Sequence, residues 1–311
     1  IAYWALKRHL LILLSAITLA IGWNQITNLF AFNVFDKRES ADGVKIMTYN
    51  VKNFDLYNWE DNIGPRNRII SLISEADPDI ICFQEFFASD SGEFSNIKLL
   101  HEALNLPHLY FEQTMTMRGK DHWGLTIMSK YPIKNKGLMP FENSRSNACI
   151  FADIEIDGKP LRIFNVHLQS IHFGSEDYEY IETLVEEQKP DVRSSQLLVR
   201  KIKRAYQKRA PQAEVVAANL AKSPYPVIVC GDFNDTPISY TYRTIAHDLN
   251  DAFIERGRGI GHTYAGRIPA LRIDYLLFDN KFDVLSYHRV KEKISDHYPV
   301  MATFQWDDAA E

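Results

Sequence analysis

Apolar positions in this chain come in short runs, and from residue 44 onward most of those runs end in polar chemistry. GVKIMTYNV (43–51) reads as a strand. In RNRIISLISEA (66–76), Ile69, Ile70, Ile73 and Ala76 recur at the spacing of one helical face. DPDIICFQE (77–85) is a turn followed by a buried strand ending in Glu85, and HLYFEQTM (108–115) and GLTIMS (124–129) are further strands. CIFADIEI and LRIFNVHL, joined through DGKP, predict a hairpin with Asp157 and Gly158 in the turn. Residues 190–222 read as a long helix opened by Pro190 and Asp191, which Pro211 should kink or interrupt. PVIVCGDFND, LRIDYLLF, FDVLSYHRV and HYPVMATF supply the remaining strands. Hairpins mixed with helical connections predict a mixed pair of sheets with helices outside, occupying residues 42–307 as one domain.

The first 35 residues differ in kind. Lys7, Arg8 and His9 precede the uninterrupted apolar run LLILLSAITLAIGW (10–23), after which Asn24, Gln25 and Asn28 dilute it. A spanning helix needs roughly 17–25 residues, so the run is a signal core, a membrane helix with a mildly polar end, or an interfacial helix. A transmembrane helix is the expectation, because no small-residue cleavage site stands clearly after Trp23 and IAYWAL resembles the tail of an earlier apolar segment. Lys7 and Arg8 then place this end in the cytoplasm and the following domain on the extracytoplasmic side, a vote that Lys37 and Arg38 weaken.

Composition narrows the chemistry. With 311 residues, 46% of them hydrophobic, the chain can bury a large core. Its net charge of -5 supplies no general attraction for a polyanion, so nucleic-acid binding would rest on local basic patches or bound metal. Cys82, Cys149 and Cys230 each sit in an apolar run without paired spacing; they are expected to be buried, inert thiols rather than disulfides or a zinc site.

The strand ends carry Asn50, Glu85, His167, Asp232, Asn234, Asp274, Asp296 and His297. Acids, amides and histidines without lysine or arginine suit a hard divalent cation and a general base. An acid at the end of a buried strand loses hydration, which costs several kcal/mol unless a cation or hydrogen bonds replace the water. Singly, a strand-end Asp is usually a turn former and a lone His structural; the concentration of eight such residues points to a site. Asp296 precedes His297 directly, but adjacent residues need not touch, so the acid orienting the imidazole is Asp296, Asp274 or Asp232.

MTYNVKNF, CFQE, NVHLQS, GDFND, RIDYLLF and SDHYPV, in this order, resemble the motifs of the endonuclease/exonuclease/phosphatase superfamily, also called deoxyribonuclease I-like, over roughly residues 44–305. The resemblance implies a four-layer α/β sandwich with two mixed, mainly antiparallel central sheets flanked by helices. It implies a phosphoesterase dependent on Mg2+, or on Mn2+, with Asn50, Glu85 and Asp296 as metal ligands. His297 is then the base or electrostatic element acting with Asp296, Asp232 the acid that aligns or deprotonates water, and Asn234 the amide that holds water and phosphate. His167 becomes the donor to the pentacovalent phosphorus, and Asp274 a further supporting acid; Asp235 caps the turn before Pro237. One departure concerns relatives that cut DNA at abasic sites, where an acid stands two residues after the first asparagine. Here that residue is Lys52. Signatures of the inositol polyphosphate 5-phosphatases are also missing.

A membrane-anchored nuclease acting on a phosphodiester, with nucleic acid as its partner and no protein partner, is the leading expectation. The alternative is a phosphatase or phospholipase-C-like hydrolase of a lipid headgroup or small phosphoester; a catalytically idle binding domain fits poorly, since every expected position is filled. A basic stretch, Arg193, Arg200, Lys201, Lys203, Arg204, Lys208 and Arg209, follows the acids Glu176, Asp177, Glu179, Glu182, Glu186 and Glu187. It is either a phosphate contact or a solvated helix face balanced by those acids. Trp123, Tyr240, Tyr242 and Tyr264 either stack on substrate or pack.

Overall fold

The computed structural model describes residues 11–33, 42–58, 61–142, 144, 146–187, 190–268 and 270–307. The N-terminal apolar run does not form one long helix. It folds as α1 (Leu11–Ile21), breaks at Gly22, and resumes as α2 (Trp23–Leu29) before a two-residue strand, β1 (Ala31–Phe32). At 1.5 Å per residue, α1 is about 16 Å long, half the roughly 30 Å hydrocarbon core. Among the described residues no helix is long and apolar enough to cross a membrane, so the expected transmembrane helix is not supported. The segment after Trp23 docks on the domain that follows, where the backbone carbonyl of Asn28 accepts from Arg272 at 2.8 Å. Lys7, Arg8, His9, Lys37 and Arg38 lie outside the described residues.

The domain begins with β2 (Val44–Asn50) and a 3-10 turn (Lys52–Asp55), followed by α3 (Ile63–Ala76), β3 (Ile80–Ser89), α4 (Asn96–Ala103), β4 (His108–Met117) and β5 (Asp121–Ser129). Next come β6 (Ile133–Pro140), β7 (Ala148–Ile156), β8 (Lys159–His167), α5 (Ser175–Glu187), α6 (Val192–Leu220) and β9 (Val227–Asp232). The chain closes with α7 (Tyr240–Ile245), β10 (Asn250–Asp251), α8 (Ala252–Arg256), β11 (Arg258–Gly259), β12 (Asp274–Phe278), β13 (Phe282–Arg289) and β14 (Val300–Trp306). The predicted hairpin is β7–β8, with Asp157 and Gly158 both at positive φ as the two-residue turn requires. Asp191 caps α6 by accepting from the Ser194 amide, and the helix runs through Pro211 without interruption.

Two six-stranded sheets stack, in the orders β13-β14-β2-β3-β5-β4 and β10-β12-β9-β8-β7-β6. Ile46, Ile127, Ile150, Ile163, Leu276 and Phe304 belong to the apolar layer between them. On the outer face of the first sheet, Ile69 and Ile73 of α3 and Leu100 of α4 pack on Met47, Phe83 and Phe86. On the outer face of the second, Ala213 and Val216 of α6 and Ile245 of α7 pack on Phe164, Val229 and Leu277. The expected helix–sheet–sheet–helix layering is therefore present. One polar bridge crosses the apolar middle: Gln84 of β3 donates to Asn165 of β8 at 2.7 Å, and Asn165 donates on to the carbonyls of Phe83 and Thr126. All three cysteines are free and buried.

Candidate active site

Strand register assembles one half of the site. In the second sheet His167 is paired with Asp232 across parallel β8–β9, and Asp232 with Asp274 across antiparallel β9–β12, so three functional side chains stand in a row. Gly231 lets β9 approach so closely: its φ is +141°, and a Cβ there would lie 2.0 Å from the Val166 carbonyl oxygen. The other half comes from the first sheet, where Asn50 ends β2 beside Gln84 of β3. Glu85 does not end its strand, as the sequence suggested. It sits mid-strand at φ +47°, where the β3–β5 register shifts between Phe83 and Phe86. A bulge of this kind re-aims a side chain, at a backbone cost of about 1–3 kcal/mol.

Asn50 ties the halves together, its Nδ2 donating to Glu85 Oε1 at 3.2 Å and to Asp232 Oδ2 at 3.0 Å. Its own oxygen accepts the Lys52 amide, so in this arrangement Asn50 is a donor to the acids rather than an oxygen ligand. Asn234, at φ +53°, donates from its backbone to Asp232 Oδ1 at 2.8 Å and from Nδ2 to both Asp232 Oδ2 and the Leu168 carbonyl at 3.0 Å. With its amide protons so engaged, Asn234 positions Asp232. That differs from the expected grip on water and phosphate.

The histidine partner is now fixed. His297 Nδ1 lies 3.0 Å from both oxygens of Asp274, and its Nε2 lies 3.7 Å from Asp232 Oδ2. Asp296, adjacent in sequence, accepts instead from the Ser295 hydroxyl, which also donates to the Asn50 carbonyl. The pairing of His297 with Asp296 is thereby corrected to Asp274: neighbouring residues diverge in an extended segment, whereas Asp274 faces it from β12. Thr263 holds the start of β12 by accepting from the amides of Ile273 and Asp274.

Electrostatics separate these groups. Burial opposes a charge on His297, yet Asp274 and Asp232 outweigh it and hold its pKa well above the ordinary histidine value. Burial, reinforced by the Asp274 charge, pushes Asp232 up to about 6. Burial lowers His167, favouring its neutral ring. Desolvation also raises Glu85, only partly offset by the Asn50 hydrogen bond.

His167 Nε2 is buried and has no hydrogen-bond partner among the described residues. It lies 3.7 Å from Glu85 Oε1 and 3.9 Å from Asp232 Oδ2, too far for direct bonds but suited to a bridging ligand. Among the described residues no lysine or arginine lines the pocket over these groups, which encloses about 200 Å³ and meets Glu85, Asp232, Asn234, Asp296 and His297. Asp232, Asp274 and His297 also place ligand atoms within 4.8 Å of one another. Uncompensated acids around an orphaned imidazole fit a divalent cation with its coordinated oxygens.

Most of the pocket wall had no signal in the sequence, Tyr264 alone among it being a candidate contact. Ile171, Phe173, Tyr178, Tyr264, Ile268 and Leu271 wall the pocket, and the Tyr178 and Tyr264 hydroxyls meet at 3.0 Å. Tyr264 stands edge-on to His297, with ring centroids 5.5 Å apart. Of the other candidate aromatics, Trp123 packs on Phe87, Tyr242 is buried against Tyr275, and Tyr240 is exposed and bonded to Glu214. Arg209 leaves the basic stretch altogether, buried and paired with Asp235 at 3.0 Å. Asp235 does brace the expected turn, accepting the Thr236 amide.

Comparison with known proteins agrees with this geometry. No curated protein matches the chain by sequence. Among solved structures, a mannosyl-6-phosphatase of Bacteroides thetaiotaomicron VPI-5482 superposes with a TM-score of 0.54 at 18% identity, covering 85% of this chain and 100% of its own. Sphingomyelinase C of Streptomyces griseocarneus gives 0.55 at 17% identity, covering 85% and 99% respectively. A humanized D. rerio TDP2 with 14 mutations gives 0.59 at 17% identity, covering 85% and 100%. At these identities the likeness is one of fold. The sequence profile of the Endonuclease/Exonuclease/phosphatase family matches residues 47–297, and with the strand-end acids and paired histidine in place the chain belongs to that family of phosphoester hydrolases.

Proposed function

We propose that this protein hydrolyses a compact phosphoester, a lipid headgroup or small phosphate ester, with Mg2+ as its cation and its domain held at a membrane on the extracytoplasmic side. The observation that carries the substrate reading is the apolar wall around the catalytic acids. Phe173, Tyr178 and Tyr264 narrow the pocket to about 200 Å³, and the acidic α5 stands beside it. A double helix needs the opposite, an open basic surface. The names of the solved phosphatase and sphingomyelinase of this fold are consistent with both kinds of substrate.

In the reaction Asp232, raised toward neutrality, accepts the proton of water as its oxygen bonds to phosphorus and the P–O bond to the alcohol breaks, the departing alkoxide taking a proton from solvent. Asn50 and Asn234 hold that carboxylate in place. His297, kept cationic by Asp274, presents Nε2–H to charge growing on the phosphoryl oxygens, and His167 offers a neutral donor. Glu85 and Asp296 would hold the cation, with Asn50 available if its amide turned over. Bound there, the cation would supply Lewis-acid stabilisation of the phosphoryl group. The His297–Asp274 hydrogen bond makes that pair a poorer cation site than the Glu85 side.

Membrane association rests on α1, none of whose residues is buried and whose Leu13, Leu14, Ile17 and Ile21 are exposed. An apolar helix with no polar face is suited to lipid rather than water. Accessibility of the domain to protease added outside intact cells tests the side assignment.

A second reading, cleavage of single-stranded nucleic acid, is favoured by a neighbouring cleft of about 370 Å³ lined by Lys201, Arg204 and Lys208, which shares Ser170, Ile171 and His172 with the catalytic pocket. Lys201 already pairs with Asp177 at 2.5 Å, leaving Arg204 and Lys208 to carry that reading. The deciding experiment offers the full chain sphingomyelin and phosphoinositide vesicles, sugar phosphates, single-stranded DNA and RNA, with Mg2+ or EDTA and with Asp232→Ala as control. Metal-dependent release of phosphate or headgroup alone supports the first reading. Cleavage of nucleic acid alone replaces it with the second.

A further inference from the structure

A cavity on another part of the domain encloses about 660 Å³ and is lined by Arg256, Arg258, His262, His288, Arg289 and Lys291, with no acid among its described lining residues. In a chain of net charge -5, this is a local reversal of sign. Asp283 pairs with Arg256 from outside the lining at 3.3 Å. The fold holds the cations rather than leaving them to roam. Arg256 donates to the Val284 carbonyl, Arg289 donates to the His262 carbonyl and stacks over Tyr298 at 5.1 Å. Desolvation and the charges of Arg289 and Lys291 hold His262 below its ordinary pKa, as a positive field should.

The N-terminal segment forms the border of this cavity. β1 pairs antiparallel with β11, setting Phe32 opposite Arg258 and Ala31 opposite Gly259. Asn33 clamps the junction by donating to the carbonyls of Ile254 and Gly257 at 2.9 and 3.1 Å. Phe32 is 71% exposed, and Phe30 and Ile260 are exposed with it. Cations recessed beside exposed aromatic and aliphatic side chains match the two zones of a bilayer surface, anionic phosphates below and acyl chains at the rim. Arginine forks engage phosphate oxygens in pairs, which a single ammonium does not.

We infer that this cavity binds the phosphate of an anionic phospholipid headgroup, with Phe30, Phe32 and Ile260 entering the bilayer beside it. The site is separate from the catalytic pocket and orients the domain on its membrane. The inference rests on the membrane association proposed above, and neutral vesicles report that association by themselves.

The test measures partition of the full chain onto phosphatidylcholine vesicles with and without phosphatidylglycerol, at low and high salt. The expected result is a preference for the anionic vesicles that falls about 10-fold or more in Arg258→Glu/Lys291→Glu and less in Arg258→Gln/Lys291→Gln. Both pairs are exposed, and an unchanged thermal midpoint shows that each variant is folded. Competition by glycerol phosphate would assign the contact to the phosphate group itself. Binding to neutral vesicles with no anionic preference, or a preference the variants retain, overturns the headgroup site while sparing the membrane association. Loss of binding to both vesicles overturns the two together. A preference for single-stranded DNA over anionic vesicles, abolished by the same variants, overturns the lipid assignment.

Discussion

Two kinds of buried charge coexist in this domain, and they differ in how completely they are answered. Arg272 and Asp251 meet at 2.6 Å, both buried, with the Tyr242 hydroxyl on the same carboxylate oxygen and Phe253 and Tyr275 against the guanidinium. Arg209 and Asp235 likewise form a counterion pair, with Arg209 also donating to the Gln169 carbonyl, although Arg209 Nη2 and Arg272 Nε have no hydrogen-bond partner among the described residues, so what closes these pairs is the counterion. In the catalytic pocket the acids Glu85, Asp232 and Asp296 face histidines and amides but no lysine or arginine, and His167 keeps a free ring nitrogen among the described residues. Closed pairs stabilise position; open charges hold binding capacity in reserve. The difference separates structural from catalytic ionisable groups without recourse to motifs.

Breaking the open group should cost rate and spare the fold. Asp232→Ala or His297→Ala is expected to lower kcat by about 100-fold to 10,000-fold, with a single cooperative melt retained. Steady-state kinetics together with a melt decide it, and full activity in either variant would sink the site assignment. Breaking a closed pair should do the reverse. Arg272→Met leaves Asp251 buried without its counterion and should cost about 3–5 kcal/mol in urea unfolding; a change below 1 kcal/mol would make the pair no better than a surface contact.

Titration sharpens the contrast. Asp232 has a folded pKa of about 6, above the unfolded value of 3.8, so its charged form is disfavoured by folding. That penalty is absent well below pH 3.8, grows as pH rises, and is complete above about 6. In EDTA, Asp232→Asn should therefore gain stability over the parent across this window, by on the order of 2–3 kcal/mol. Mg2+ should shrink the difference by neutralising the carboxylate from outside. A pH-independent difference between the two proteins would refute the open-charge description. The smallest effect belongs to the pocket wall: Tyr178→Phe removes one side of the Tyr178–Tyr264 hydrogen bond and should raise KM about 2-fold to 10-fold with kcat little changed.

Much of this was legible in the sequence, for reasons that can be named. Most strands of the two sheets, though not β6 or the two-residue β10, were visible because apolar runs bounded by turn residues leave few alternatives, and the polar residues at their ends formed a chemical set. Asp157–Gly158 announced its hairpin through the only backbone such a turn allows. What stayed hidden was long-range or geometric. The Asp274 partner of His297 lies 23 residues away, and the sequence left Asp296, Asp274 and Asp232 all open for that place. Glu85 looked like a strand terminus because nothing in FQEFFAS marks the bulge that turns it outward. Tyr178 reaches Tyr264 across 86 residues, and no local pattern records such a meeting. The N-terminal run has the hydropathy of a membrane segment, and nothing local records that the Asn28 backbone carbonyl and the Asn33 side-chain amide bond to the domain.

The amide bridge between the sheets has a further consequence. Asn50 and Glu85 ride on one sheet, His167, Asp232 and Asp274 on the other, so the reacting geometry depends on how accurately two separately hydrogen-bonded slabs are aligned. Apolar packing between slabs tolerates sliding, since one aliphatic contact replaces another at little loss. The Gln84–Asn165 link does not, because a buried amide shifted off its partner forfeits the bond and gains nothing. It works as a dowel pin does between two machined plates, bearing little load while removing the play that would blur the cutting edge.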